Sequence, residues 1–151
     1  MDDAELAGLL VAQAPDAVIF ADLKGVIRAW NAAAERVFGH STEEAIGQSL
    51  DLIVPERFRE AHWRGYERAL AAGETKYSGQ ALPTRSVRKD GSTIYVELTF
   101  AIIHDSHDTV AGALAHARDI SERWASEREQ RQRLQELERR LGRTAGAGEA
   151  T

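Results

Sequence analysis

Ala17-Val18-Ile19-Phe20-Ala21, Asp22-Leu23-Lys24-Gly25 and Val26-Ile27-Arg28-Ala29-Trp30-Asn31 follow one another without a gap, and this stretch decides the fold. The first piece is an apolar run of strand length, the second a turn built on Asp and Gly, and the third a second strand. Asn31 has the side chain to cap a helix over 32–38, which Gly39 then stops. A strand pair feeding directly into a helix begins a sheet covered on one side by helices.

Upstream, residues 2–14 read as a short amphipathic helix. Asp2 or Asp3 caps it, Leu6, Leu9 and Leu10 share a face, and Pro15 marks its end. So short a helix needs a surface to dock on. Downstream, Ser41-Thr42-Glu43-Glu44 has capping-box spacing ahead of another short helix that Gly47 stops. Pro55 opens the longest helix of the globular part, over 56–72, with Gly73 as its stop. Three strands follow, at 76–88, 93–103 and 110–118. Lys89-Asp90-Gly91-Ser92 is the turn between the first two. In the second, Ile94, Val96, Leu98, Phe100 and Ile102 point one way; in the third, Ala111, Ala113, Ala115 and Ala117 share a face. The order predicts an α+β domain with an antiparallel sheet and a pocket between sheet and helices. Its parts are a cap helix over 1–15, a core over 16–118, a charged output helix over 119–141 and a disordered tail over 142–151.

Composition narrows the function. The 151 residues carry a formal charge of −5, with 24 acidic against 19 basic side chains, which disfavours nucleic acid as a partner. With no cysteine there is no disulfide, thiol chemistry or iron–sulfur cluster. No apolar run is long enough to span a membrane, and Met1-Asp2-Asp3 lacks the basic start of a signal peptide, so a cytoplasmic location is expected. No nucleophile elbow or Walker-type loop is present, so the chain reads as non-catalytic.

Asp16-Ala17-Val18-Ile19, the run Gly25 to Glu35, Phe38-Gly39, Arg88-Lys89-Asp90-Gly91-Ser92 and Arg118-Asp119-Ile120-Ser121-Glu122-Arg123 together resemble a PAS domain, over about residues 12–125. The resemblance implies the PAS fold: a five-stranded antiparallel sheet flanked by short helices, a cap helix at the N-terminus and a signalling helix at the C-terminus. It also implies dimerisation through terminal helices and a pocket for haem, a flavin, a metabolite or nothing.

The long helix carries the candidate site. Phe58, Ala61, His62, Gly65, Tyr66 and Ala69 have the spacing of one apolar face, with His62 at its middle. Gly65 costs about 1 kcal/mol against alanine inside a helix, so something near it has a use for the space. The residues leave two readings open: a core histidine satisfied by one hydrogen bond, or an iron ligand. Arg57-Phe58-Arg59-Glu60-Ala61-His62, with Arg68 and Gly73, resembles the haem-binding PAS domains of bacterial gas sensors. That resemblance implies haem b (iron protoporphyrin IX) with His62 as proximal ligand and Arg68 and Lys76 beside the propionates. It implies Tyr77, Leu98 and Phe100 above the iron, Ala115 leaving room beside the ring, and Leu82 where oxygen sensors often carry an arginine. It further implies a diatomic gas (O2, CO or NO) or redox state as the signal, a homodimer, and a downstream effector protein or domain not in this chain. The rivals are FAD in the same pocket, as a redox sensor, and a cofactor-free ligand-binding or dimerisation module. His104-Asp105-Ser106-His107-Asp108 reads as a solvated turn, and Trp30 as core.

Overall fold

The structure is a computed structural model and describes residues 1–149. Five antiparallel strands form one sheet in the order β2-β1-β5-β4-β3. They are β1 (Ala17–Asp22), β2 (Ile27–Trp30), β3 (Leu82–Val87), β4 (Thr93–His104) and β5 (Val110–Asp119). Side chains directly opposite one another share a face, so the registers sort the apolar residues into rows. Ala17, Ala117, Leu98 and Leu82 make one row; Trp30, Ile19, Ala115 and Phe100 a second; Ile27, Ala21, Ala113 and Ile102 a third. The strand alternation read in β4 and β5 thus becomes a single apolar surface, as expected.

The helices between β2 and β3 cover one end of that surface. Helix α2 (Ala32–Phe38) contributes Ala33, Ala34 and Phe38, all buried with Ile19, Ile27, Val96 and Ala117. Trp30 is core: it is 3% exposed, stands 5.5 Å from the Phe38 ring, and donates its indole N–H to the His40 carbonyl. Asn31 caps α2 and does more, because its four side-chain hydrogen bonds reach three segments. Its Oδ1 accepts from Ala34 N and Val18 N; its Nδ2 donates to the carbonyls of Val11 and Asp16. That carboxamide is the anchor for α1 (Asp3–Ala12), which Asp2 caps and which buries none of its own residues.

Helix α3 (Thr42–Ala45) starts with both arms of the expected capping box, Ser41 with Glu44. Glu44 also pairs with Lys89 at 2.6 Å, tying α3 to the β3–β4 turn. The hydrogen bond to Lys89, then that from the Ser41 backbone, pull the Glu44 carboxyl from 4.5 down to about 2. A group whose native pKa is lowered leaves the native state with fewer bound protons, so its stabilisation is present above the unfolded value and fades as pH falls. Glu44→Gln is therefore expected to flatten stability against pH between 4.5 and about 2, measured by urea unfolding at stepped pH. An unchanged slope would remove the pair from the acid response.

Two boundaries differ from the sequence reading. The strand expected over 76–88 begins only at Leu82. Residues 75–80 instead close on themselves, with Ser78 N donating to Thr75 O and Gln80 N to Tyr77 O, and Gly79 adopting φ +76°. Once turned in this way the backbone has no ladder to offer a neighbour. At the other end, α5 spans Ser121–Glu149, 29 residues, rather than stopping at 141. The tail expected over 142–151 is helical as far as Glu149, and its last two positions lie outside the described residues. Extending a formed helix needs no new nucleus, so Gly142 is carried rather than ending it. Residues 120–151 form a unit separate from the core of residues 1–119. Along α5, Glu129 pairs with Arg133 and Glu136 with Arg140, while Leu134, Leu137 and Leu141 stand exposed. Among the described residues no helix is long and apolar enough to cross a membrane.

Candidate functional site

After Pro55 the chain makes a short 3-10 turn (Glu56–Phe58) and enters α4 (Arg59–Ala72), which Gly73 ends at φ +71°. The half-buried stripe of α4 is Arg59, His62, Trp63, Tyr66, Ala69 and Leu70. This is rotated from the face expected. Ala61 and Gly65 are exposed, an added Cβ at Gly65 would meet nothing within 4 Å, and Phe58 lies under the Arg57 guanidinium. Trp63 explains the rotation. Its large ring lies against the bare face of Gly25, where an added Cβ would overlap it, and its Nε1 donates to Asp51 Oδ1 at 2.8 Å. Satisfying that indole turns the side of Ala61 and Gly65 outward.

His62 remains on the inward side. Its ring stands 4.8 Å from Trp63 and 5.9 Å from Tyr66, centroid to centroid. Its Nδ1 is buried with no hydrogen-bond partner. A buried, unpaired polar atom costs about 1–3 kcal/mol, so it marks a place where a partner belongs. Burial lowers the imidazole pKa, against a smaller opposite pull from the Asp51 carboxylate. The ring is therefore held neutral, the form that donates a lone pair to a metal.

Tyr66, one turn further on the same side, donates its single hydroxyl proton to Asp22 O at 2.6 Å, with Ala21 O as a second, longer acceptor at 3.2 Å. Ala21 belongs to the third row of the sheet surface, and Asp22 follows it at the end of β1. Each row is buried at its β1 and β2 end and only half-buried where it reaches β4 and β3. Leu82, Leu98, Phe100, Ile102, Ala113 and Ala115 form this half-covered apolar ledge. Helix α4 itself contains no fully buried residue. A neutral imidazole with an unpartnered nitrogen is a group that a metal-bearing cofactor can use, and the half-covered ledge is apolar surface of the kind a flat ring covers.

The expected site residues divide accordingly. Leu82, Leu98, Phe100 and Ala115 come together on one sheet face. Tyr77, expected with them, is on the exposed turn before β3, with Lys76 Nζ 4.9 Å from its ring centroid. The self-closed turn described above keeps it off the sheet. Arg68 and Lys76 are exposed. His104 and His107 are exposed, and among the described residues no group of three His, Asp or Glu side chains could hold a metal ion. Sequence reasoning overlooked Trp63, which lies against Gly25, and Asp51, which accepts from the Trp63 indole.

Residues 11–125 match the family described as PAS fold, and the chain belongs to it. It is 31% identical over 127 residues to the sensor protein FixL of Bradyrhizobium diazoefficiens, covering 84% of this chain and 24% of that protein. It is 31% identical over 103 residues to the oxygen sensor protein DosP of Escherichia coli, covering 68% of this chain and 13% of that protein. The chain thus spans less than a quarter of either relative. Among solved structures, a PAS domain from Colwellia psychrerythraea superposes with a TM-score of 0.69 at 26% identity, covering 80% of this chain and 99% of that one. An RNA-binding light-oxygen-voltage receptor shares the fold with a TM-score of 0.65 at 21% identity, covering 89% of this chain and 39% of that one.

Proposed function

We propose that this domain binds b-type haem through His62 and senses a diatomic gas. The observation that carries the reading is the neutral His62 imidazole on α4, whose Nδ1 is buried and has no hydrogen-bond partner. Likeness to an oxygen sensor protein supports it. Haem held there supplies an iron centre able to take a gas molecule. His62 would hold the iron, the apolar residues from Leu82 to Ala115 would cover the ring, and Arg68 and Lys76 would meet its carboxylates. Thr84, the polar neighbour on that sheet face, has its hydroxyl committed to the Leu82 carbonyl. With Leu82 where oxygen sensors often carry an arginine, carbon monoxide and nitric oxide suit this side better than oxygen, whose more polar bound form gains from a hydrogen bond. The non-catalytic domain signals through α5 to a second copy and to an effector, with Leu134, Leu137 and Leu141 as the apolar seam.

Haemin titration followed by absorption tests this. The wild-type chain is expected to develop a sharp Soret band at one haem per chain. His62→Ala should weaken uptake more than about 100-fold, beyond the usual cost of losing an outer partner of a metal ligand. A flavin spectrum in the purified protein would move the assignment to FAD, and a colourless chain indifferent to haemin would overturn it.

A further inference from the structure

We propose that Trp63 and Tyr66 are positioning residues for His62, and that they act by gripping the β1–β2 turn, so that this turn is where a displacement of the imidazole first leaves α4. The inference rests on the haem reading for its consequence and on geometry for its mechanism.

Helix α4 has no fully buried residue, so ordinary core packing does not fix its height above the sheet. What holds it is directional. Trp63 reaches Gly25 and Asp51; Tyr66 reaches the carbonyls of Ala21 and Asp22. Both rings flank His62, and they stand 5.3 Å from each other. The turn they grip is itself braced. Asp22 Oδ1 accepts from Lys24 N and Val26 N, and Asp22 Oδ2 pairs with Arg28 at 3.0 Å. Gly25 N donates to Asp22 O, so the carbonyl that receives Tyr66 also closes the turn. Pulling on α4 therefore pulls on a rigid loop joined to β1, and β1 lies beside β5 in the middle of the sheet. Gly25 is the point of closest approach, since its lack of a side chain is what lets the indole sit down.

The test uses the full chain and two readouts: His62 ring-proton shifts by NMR without haemin, and haemin affinity by absorption. Gly25→Ala is expected to move the His62 resonances and weaken haemin binding roughly tenfold, the scale of losing an outer partner of a metal ligand. Tyr66→Phe, which keeps the ring and loses the hydroxyl, should move both readouts the same way. Gly91→Ala is the control. Gly91 has φ +84° against +77° at Gly25, but an added Cβ there meets nothing within 4 Å, so the backbone strain is matched without touching Trp63. The proposal is overturned if Gly25→Ala and Gly91→Ala behave alike in both readouts, or if Tyr66→Phe leaves the His62 resonances in place. Should Gly25→Ala fail to fold, Tyr66→Phe decides the matter alone. Resonances that move in a chain whose wild type takes up no haemin keep the grip and discard the haem reading.

Discussion

Asn31→Ala is expected to destabilise the domain by about 4 kcal/mol, from four hydrogen bonds at about 1 kcal/mol each. All four meet on one carboxamide that is 5% exposed. The helix cap to Ala34 N alone is worth about 1 kcal/mol. Truncation also strands Val18 N beside the core, where water cannot easily replace the lost oxygen, and this is the costly part. The two donors to Val11 and Asp16 hold α1, so proteolysis within residues 1–14 should accelerate in the same variant. Asn31→Asp separates the effects: it keeps the acceptor for Val18 and Ala34 but turns a carboxylate oxygen toward two carbonyls, so α1 should come loose while α2 stays capped. Urea unfolding checks the magnitude, and a loss below about 1 kcal/mol would mean that the carboxamide is no more than an ordinary cap.

The second large effect is expected at the opposite side of the sheet. Gly112 is buried in β5, where it pairs with Asp22. A Cβ there would overlap the Ala21 carbonyl oxygen and come within 2.7 Å of the Phe20 ring. The ring can swing aside, but a ladder carbonyl cannot, so Gly112→Ala must spread β1 from β5. A cost of about 3 kcal/mol, the upper range for overpacking, is expected as a lowered thermal midpoint. The same spreading shifts the Ala21 and Asp22 carbonyls that receive Tyr66, so the variant should also perturb the surroundings of His62. A midpoint within a degree or two of wild type would show that the strands part there without resistance.

What the sequence made legible was whatever short-range chemistry decides. Asn31 and Ser41 cap helices because their side chains reach an amide three residues on, and both were readable. The alternation in β4 put Leu98 and Phe100 on the inner face, and Leu82 and Ala115 proved to share it. What failed depended on partners far along the chain. The inward face of α4 is set by Trp63 meeting Gly25, 38 residues earlier, and no helical periodicity contains that contact. Tyr77 was misplaced because strand propensity over 76–81 loses to a turn in which Gly79 takes a left-handed backbone. His62 was legible as a residue of interest. That its Nδ1 would lack a partner was not, since this follows from what surrounds it in space.

The strand that opens the sheet and the strand that closes it lie side by side: Ala17 pairs with Ala117, and the Asp16 carboxylate takes both Nε and Nη2 of Arg118. Entrance and exit are therefore about 5 Å apart, one strand spacing. A module of this kind can be spliced into a longer polypeptide, or lifted out of one, leaving a gap no wider than a single peptide step or two. Torque applied at either flank arrives at the same doorway.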